Sequence, residues 1–462
     1  MNKSRERLEH KREKRLHYRN SKKIRGFFHP KTIVNYCIWK PSHIFSLPFY
    51  LFGCSFLKGY KDIRRIFLNV LLEYRYLSTV KFIKGKQVKD IVSCIALYLP
   101  QFHQTVENDE WWGEGFTEWT NCKTAVPLFN GHYQPHVPHP DIGYYDLSDV
   151  NVMRKQANMA KEYGVSGFCF YYYWFQNGQR MLEKPINNWL ETSDINFPFC
   201  FCWANENWTR TWTGGGEILM EQDHGVENLT NMIREMIKAF KDDRYITING
   251  KPVLLVYRAE LIPDIQVIVQ MWQDEVKKAG LPGVYLVSVE NVKAADPDQY
   301  GFDAALEFAP SNLKANVFFS NSKIEVEKHS NLNFHSYTSA AQNLMYRPDP
   351  GYKRFRSVFP GWDNSPRRKN NEPRIYHGNN LNEFKKHLTR TVKYTISYFP
   401  EEERLFFINA WNEWGEGAHL EPDEKNGHAY LQTVKDIMEI KLEKESTASQ
   451  RIFRNLLRFR MF

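Results

Sequence analysis

The 462-residue sequence predicts a (β/α)8 (TIM) barrel with long βα-loop insertions, flanked by a basic helical N-terminal appendage and a basic amphipathic C-terminal tail. Three observations carry that reading. Eight short apolar runs lie between residues 92 and 409. Helical patterns fall between most of them, as βα units require. No Gly-rich phosphate loop follows an early run, which argues against an open doubly wound sheet.

Residues 1–89 read as the appendage. Residues 1–30 hold eleven Lys and Arg against three Glu, a charge of +8. The apolar run Ile44–Leu57 contains Pro48 and Gly53 and falls short of the roughly 20 apolar residues a spanning helix needs. It reads as a buried, re-entrant or interfacial piece. Asp62–Lys81 follows, with Ile63, Ile66, Phe67, Val70, Leu71, Tyr74 and Leu77 on one helical stripe.

Residues 90–445 form the barrel domain. The expected strands are Val92–Leu97, Gly167–Tyr173, Phe197–Trp203, Val253–Tyr257, Val284–Val289, Ala304–Phe308, Arg356–Phe359 and Leu405–Asn409. The expected helices are Leu147–Tyr163, Lys184–Thr192, Glu227–Asp242, Ile265–Ala279, Leu381–Phe399 and His428–Leu442. Residues 320–355 read as a long insertion.

Residues 446–462 form the tail, and four Arg with no acid in 449–462 give it +4. The net charge is +9, so the body is left at −3. Basic charge confined to two amphipathic ends implies peripheral contact with an anionic membrane; the plainer alternative is that both ends pack on the body and show arginines to water. It argues against a nucleic-acid groove on the body, and no nucleic-acid partner is expected. Seven scattered cysteines without a C-x-x-C pair suit a reducing compartment, and the charged first thirty residues do not form a signal peptide. The expected place is therefore cytoplasmic, peripheral on the inner face of a bacterial plasma membrane.

Barrel chemistry sits at the C-terminal ends of the strands. After the first run come Gln101, His103, Trp111, Trp112, Glu114, Glu118 and Trp119. The second ends in Tyr171–Phe175, and the third in Trp203, Asn205, Glu206, Asn207, Trp208 and Arg210. The sixth offers Glu307. The seventh offers Trp362, Asp363, Asn364 and Arg367, and the eighth Asn412, Glu413, Trp414 and Glu416. Indoles stack on sugar C–H faces, and amides and carboxylates bind hydroxyls. Gln101, His103, Glu118, Trp119, Tyr173, Trp203, Asn205, Glu206, Asn207, Trp208, Trp362, Asp363, Asn412 and Trp414 are accordingly read as substrate-binding. Glu413 and Glu416 are the catalytic pair, one to protonate a leaving oxygen and one to act as base or nucleophile. The bland alternative is a helix-capping or solvated pair of acids.

Other motifs weigh less. His132, His136 and His139 lie close in sequence, but no acid at ligand spacing completes a metal site, so no metal and no cofactor are expected. Asp296–Asp298 matches a three-residue metal-and-nucleotide motif that recurs by chance.

The motifs "LYLPQFH…WWGEGFTEW", "FCFYYYWF", "FCWANENW" and "NAWNEWGEG", in that order, resemble the WbsX-type proteins of bacterial polysaccharide gene clusters, described as glycosyltransferases of O-antigen or capsule assembly. That group is similar in turn to the family 99 glycoside hydrolases, endo-acting α-mannosidases with a (β/α)8 barrel. The resemblance covers roughly residues 92–440. It implies that Glu413 matches the base assisting the sugar's own 2-hydroxyl, which gives a 1,2-anhydro intermediate, and that Glu416 matches the general acid. It implies a glycosyltransferase in surface-polysaccharide biosynthesis, with a glycan or lipid-linked oligosaccharide substrate and a sugar-nucleotide donor. An endo-glycosidase of the family 99 type and a non-catalytic glycan-binding barrel are the alternatives.

Overall fold

A computed structural model describes residues 56–210, 217–293, 296–311, 313, 333–368 and 372–443. The basic arm at 1–30 and the tail at 446–462 lie outside them, as does all but the end of the apolar run at 44–57. By its contacts the chain divides into residues 1–64 with 348–351, and residues 65–347 with 352–462. In the first unit only the start of helix α1 (Phe56–Val80) and 348–351 are described. The second unit holds the barrel.

Nine short strands form it: β1 (Ser93–Tyr98), β2 (Gly167–Trp174), β3 (Phe199–Trp203), β4 (Lys251–Val256), β5 (Tyr285–Glu290), β6 (Ala304–Glu307), β7 (Arg354–Phe355), β8 (Ser357–Val358) and β9 (Leu405–Ile408). Their order is β7-β6-β5-β4-β3-β2-β1-β9-β8, and every neighbouring pair is parallel. Only Arg356 separates β7 from β8. The seventh stave is thus split in two, one piece on β6 and the other on β9, which closes the ring.

Each stave is buried on both faces, so it reads as a continuous apolar run rather than an alternation. All five residues of β3, Phe-Cys-Phe-Cys-Trp, are buried. The outer layer is α4 (Val150–Glu162), α5 (Glu183–Glu191), α6 (Val226–Phe240), α7 (Ile265–Lys278), α8 (Tyr337–Met345), α9 (Leu381–Tyr398) and α10 (Ala429–Met438). The loop after β1 carries two short helices, α2 (Val106–Trp112) and α3 (Glu118–Lys123).

Residues 65–80 of α1 lie against α9. Lys393 meets Glu73 at 2.6 Å, and the Arg75 guanidinium sits 4.4 Å from the Tyr398 ring centroid. The contacts therefore place 65–89 with the barrel, although composition changes only at residue 90. Among the described residues no helix is long and apolar enough to cross a membrane.

Candidate active site

β9 ends at Ile408, and the chain then makes a short hairpin, Asn412–Glu413 against Ala418–His419. A single 3₁₀ turn, Trp414–Glu416, forms its tip, and Gly417 closes it in the left-handed region at φ 58°. Three residues make one turn of such a helix, so side chains three apart fall on the same side. Glu413 and Glu416 thus project together.

Both reach Arg367, from the loop after β8. Its Nη2 lies 2.6 Å from Glu413 Oε2 and its Nη1 2.9 Å from Glu416 Oε1. Its Nε lies 2.7 Å from Glu118 Oε1, at the start of α3. One buried guanidinium therefore serves three carboxylates from two separate loops. Three ionised acids around one cation would leave a buried excess of negative charge, which low dielectric penalises. Burial, with Glu413 and Glu118 nearby, pushes Glu416 up to about 8 in spite of Arg367. Burial also raises Glu118, which has one carboxylate oxygen without a hydrogen-bond partner. Glu416 keeps 21% side-chain exposure against 6% for Glu413 and 0% for Glu118. It is the acid most open to the space above.

That space is a cavity of about 1020 Å³ at the C-terminal mouth of the barrel. Residues from around the whole ring contribute: Gln101 after β1, Tyr171 and Tyr173 from β2, Glu206–Thr209 after β3, Tyr257 and Arg258 after β4, Asn291 after β5, Phe308 after β6, Trp362 and Arg367 after β8, Glu413 and Glu416 after β9. Trp112 and Trp208 add indoles, and Glu206 is ion-paired to Arg258.

Half of the sixteen residues that the sequence singles out line this cavity: Gln101, Tyr173, Glu206, Asn207, Trp208, Trp362, Glu413 and Glu416. The others stand behind its wall, most with polar atoms engaged by protein. Asn412 bonds both backbone polar groups of Leu99, at 2.7 and 2.9 Å. Asn205 does the same for Arg258, at 2.8 Å each. Trp414 donates its indole N–H to Glu421 at 2.7 Å, and Trp119 to the Tyr145 carbonyl at 2.7 Å. Trp203 packs outward against Trp272 of α7. Asp363 accepts from His132 and Gln134 at 2.6 and 2.7 Å. His103 is buried at 3% exposure, and Glu118 sits behind the wall on Arg367 without lining the cavity. Those residues are better read as supports than as sugar contacts. Glu307 is held by Arg347 and Arg356 and does not line the cavity. Asp296 caps a 3₁₀ turn by accepting from the Asp298 N–H.

Tyr257, Arg258 and Phe308 join the lining although the sequence reading assigns them no role. Tyr257 and Arg258 directly follow β4, so extending the strand-end reading to the fourth run would have reached them.

The three carboxylates gather on one guanidinium at the C-terminal mouth of a (β/α)8 barrel, the face where barrel enzymes carry their active sites. The chain belongs to the glycosyltransferase WbsX family, whose family model matches residues 94–434. The uncharacterised protein WxcX of Xanthomonas campestris pv. campestris, strain B100, is 39% identical over 345 residues, 74% of this chain and 49% of the relative. WxcX of strain ATCC 33913 matches equally. The chain spans about half the length of these curated relatives. Among solved structures, a glycoside hydrolase-like protein aligns with TM-score 0.48 and 14% identity, over 77% of this chain and 96% of its own. The GH99 endo-alpha-mannosidase of Bacteroides thetaiotaomicron aligns with TM-score 0.44 and 13% identity, over 79% and 98%.

Proposed function

We propose that this protein makes or breaks glycosidic bonds in the barrel-mouth cavity, acting as a glycosyltransferase of O-antigen or capsular polysaccharide biosynthesis. The observation that carries the reading is the convergence of Glu413 and Glu416 on Arg367, with Glu416 facing an aromatic-walled cavity. Family membership supports it. Glu416, protonated near neutrality, hands its proton to the leaving oxygen. Glu413, paired with Arg367, takes the proton of the sugar's 2-hydroxyl as that oxygen closes on the anomeric carbon. Glu416 then removes a proton from the incoming hydroxyl as it bonds to the anomeric carbon, and Glu413 returns its proton to the 2-oxygen as the strained ring opens. Trp112, Trp208 and Trp362 offer stacking faces for the sugar rings. The acceptor is a glycan or lipid-linked oligosaccharide and the donor a sugar nucleotide, brought together at the inner membrane face by the basic ends.

One observation favours a second reading, endo-glycosidic cleavage. A diphosphate leaves a sugar without needing a proton, whereas an alkoxide needs one, and Glu416 holds one. The same site with water as acceptor is a hydrolase. Purified protein is offered lipid-linked acceptors with sugar nucleotides, and separately α-mannan fragments in heavy-oxygen water. Sugar added to acceptor supports transfer, and label at new reducing ends supports hydrolysis. Binding without either reaction, unchanged in Glu413→Gln and Glu416→Gln, would leave a non-catalytic glycan-binding barrel.

A further inference from the structure

A second cavity, of about 260 Å³, lies on the other side of the β9 hairpin, lined by His136, His419 and Asp423 among others. These three side chains bring one ligand atom each within 4.8 Å of one another. In sequence the histidines around residue 136 lack an acid partner. The fold supplies one from the loop after β9. Backbone bonds fix the two loops edge to edge: His139 N–H to the Pro422 carbonyl at 2.9 Å, and Glu424 N–H to the Val137 carbonyl at 2.9 Å.

We propose that His136 Nδ1, His419 Nε2 and Asp423 Oδ2 bind a divalent transition-metal ion of the zinc class, the cavity leaving room for a water as fourth ligand. Two histidines, a carboxylate and an open position are an established zinc donor set. The outer partners of the ligands are in place. His419 Nδ1 lies 2.9 Å from the Glu421 carbonyl and donates its N–H there, which leaves Nε2 as the bare lone pair. Asp423 is aimed by the backbone and side-chain N–H groups of Asn426.

His136 and His419 share a hydrogen bond at 2.8 Å, and His419 Nε2 lies 3.9 Å from Asp423 Oδ2. Ligand atoms of a tetrahedral zinc ion sit about 3.3 Å apart, given bonds of about 2.0–2.1 Å. Binding therefore needs the two rings to part by about half an ångström and the carboxylate to close, by about 0.6 Å on His419 and by up to about 1.5 Å on His136, with the His136 proton carried on Nε2. His136 is the less buried ring and packs more loosely, its centroid 4.5 Å from that of Tyr133. The His419 ring is held closer, 3.7 Å from that of Trp414 and tilted by 12°, so His136 is the ring that yields. Trp414 stands between Glu413 and Glu416 in the chain. The ion would act through position, clamping the hairpin that carries both acids.

A nearby surface trio, His139, Asp141 and His428, is the weaker candidate. The Asp141 backbone N–H already occupies the His139 Nδ1 lone pair, at 3.2 Å.

The test uses the full chain, stripped with EDTA. Zn²⁺ is titrated by calorimetry, and Co²⁺ by the visible absorption of a tetrahedral site. The expected result is one ion per chain with a dissociation constant below about 1 µM and a raised melting temperature. Affinity should fall at least tenfold in His136→Gln and Asp423→Asn and hold in His428→Ala, with circular dichroism confirming the fold. Should Asp423→Asn not fold, the wild-type titration and His136→Gln decide. Absence of stoichiometric binding by the wild type, equal binding in His136→Gln, or loss only in His428→Ala would overturn the proposal.

Discussion

Gly415 runs so close to Glu118 that a Cβ built at 415 would fall on the Glu118 Oε1 atom, and 2.7 Å from Arg367 Nε. The tip of the acid-bearing turn is thus pressed onto the buried ion cluster with no space between. Glycine is needed there for closeness rather than for an unusual φ. Gly415→Ala must push the turn, Glu118 or Arg367 aside. It is expected to cost about 1–3 kcal/mol, as overpacking does. The shift of Glu413 and Glu416 is expected to lower turnover about 100-fold. Chemical denaturation and turnover on the substrate found active check the two effects. Wild-type turnover in a folded Gly415→Ala protein contradicts the account.

Arg367 compensates several acids at once, so its removal is felt beyond catalysis. Arg367→Met leaves Glu118, fully buried, without a cation. Breaking a buried pair from one side costs about 3–5 kcal/mol. Glu118 and Glu416 already sit above their ordinary range, and losing the guanidinium moves them further up. The folded variant then binds more protons than the unfolded chain, so its stability falls as pH rises. Urea midpoints are expected to show a deficit that is smaller at pH 5 than at pH 8. Arg367→Lys keeps a charge but not the planar fork, and should not restore turnover.

The barrel was legible in the sequence because its staves are buried on both faces and stand out as apolar runs. All eight expected strands lie within a few residues of those observed. The split of the seventh was invisible, because Arg356 looks no different from any strand residue until its carboxylate partner Glu307 is in view. Helix α8, Tyr-Thr-Ser-Ala-Ala-Gln-Asn-Leu-Met, has no charged face to set a period and falls inside the expected insertion. At the site, the two acids were legible because an apolar strand ends just before them. The hub was not. Arg367 meets Glu118 across 249 residues of chain and Glu413 across 46. Trp119 and Trp414 read as sugar contacts because an indole beside polar residues looks the same whether its N–H meets a hydroxyl or a buried oxygen.

Glu421 holds the far side of the hairpin. Its buried carboxylate accepts from the indoles of Trp414 and Trp411 at 2.7 and 3.1 Å, from Gln156 at 2.7 Å and from the Tyr145 hydroxyl at 2.8 Å. Burial outweighs those donors and pushes it up to about 7, against an ordinary 4.5. The folded protein therefore keeps a proton that the unfolded chain loses, and stability falls as pH rises through that window. An amide cannot accept at both ends, so Glu421→Gln leaves a donor unmet and is expected to cost about 1–3 kcal/mol. It also removes this group's share of the pH slope. The deficit against wild type should therefore shrink between pH 5 and pH 8, as read from urea midpoints.

If Glu416 is the acid of a glycosidic step, its protonation sets the rate. At a folded value of about 8 it is protonated below that pH and ionised above it, so turnover should decline on an alkaline limb near 8. Glu416→Gln should lower turnover by about 10²–10⁴ and abolish that limb. The loss should depend on the leaving group. An aryl glycoside, whose phenolate departs without help, should recover most of its first-step rate in Glu416→Gln, because only proton donation is missing. Glu413→Gln should show no such recovery, since a base for the 2-hydroxyl is needed whatever leaves. Equal losses in the two variants on both kinds of substrate would show that the acids share one structural task on Arg367 instead of dividing two chemical ones.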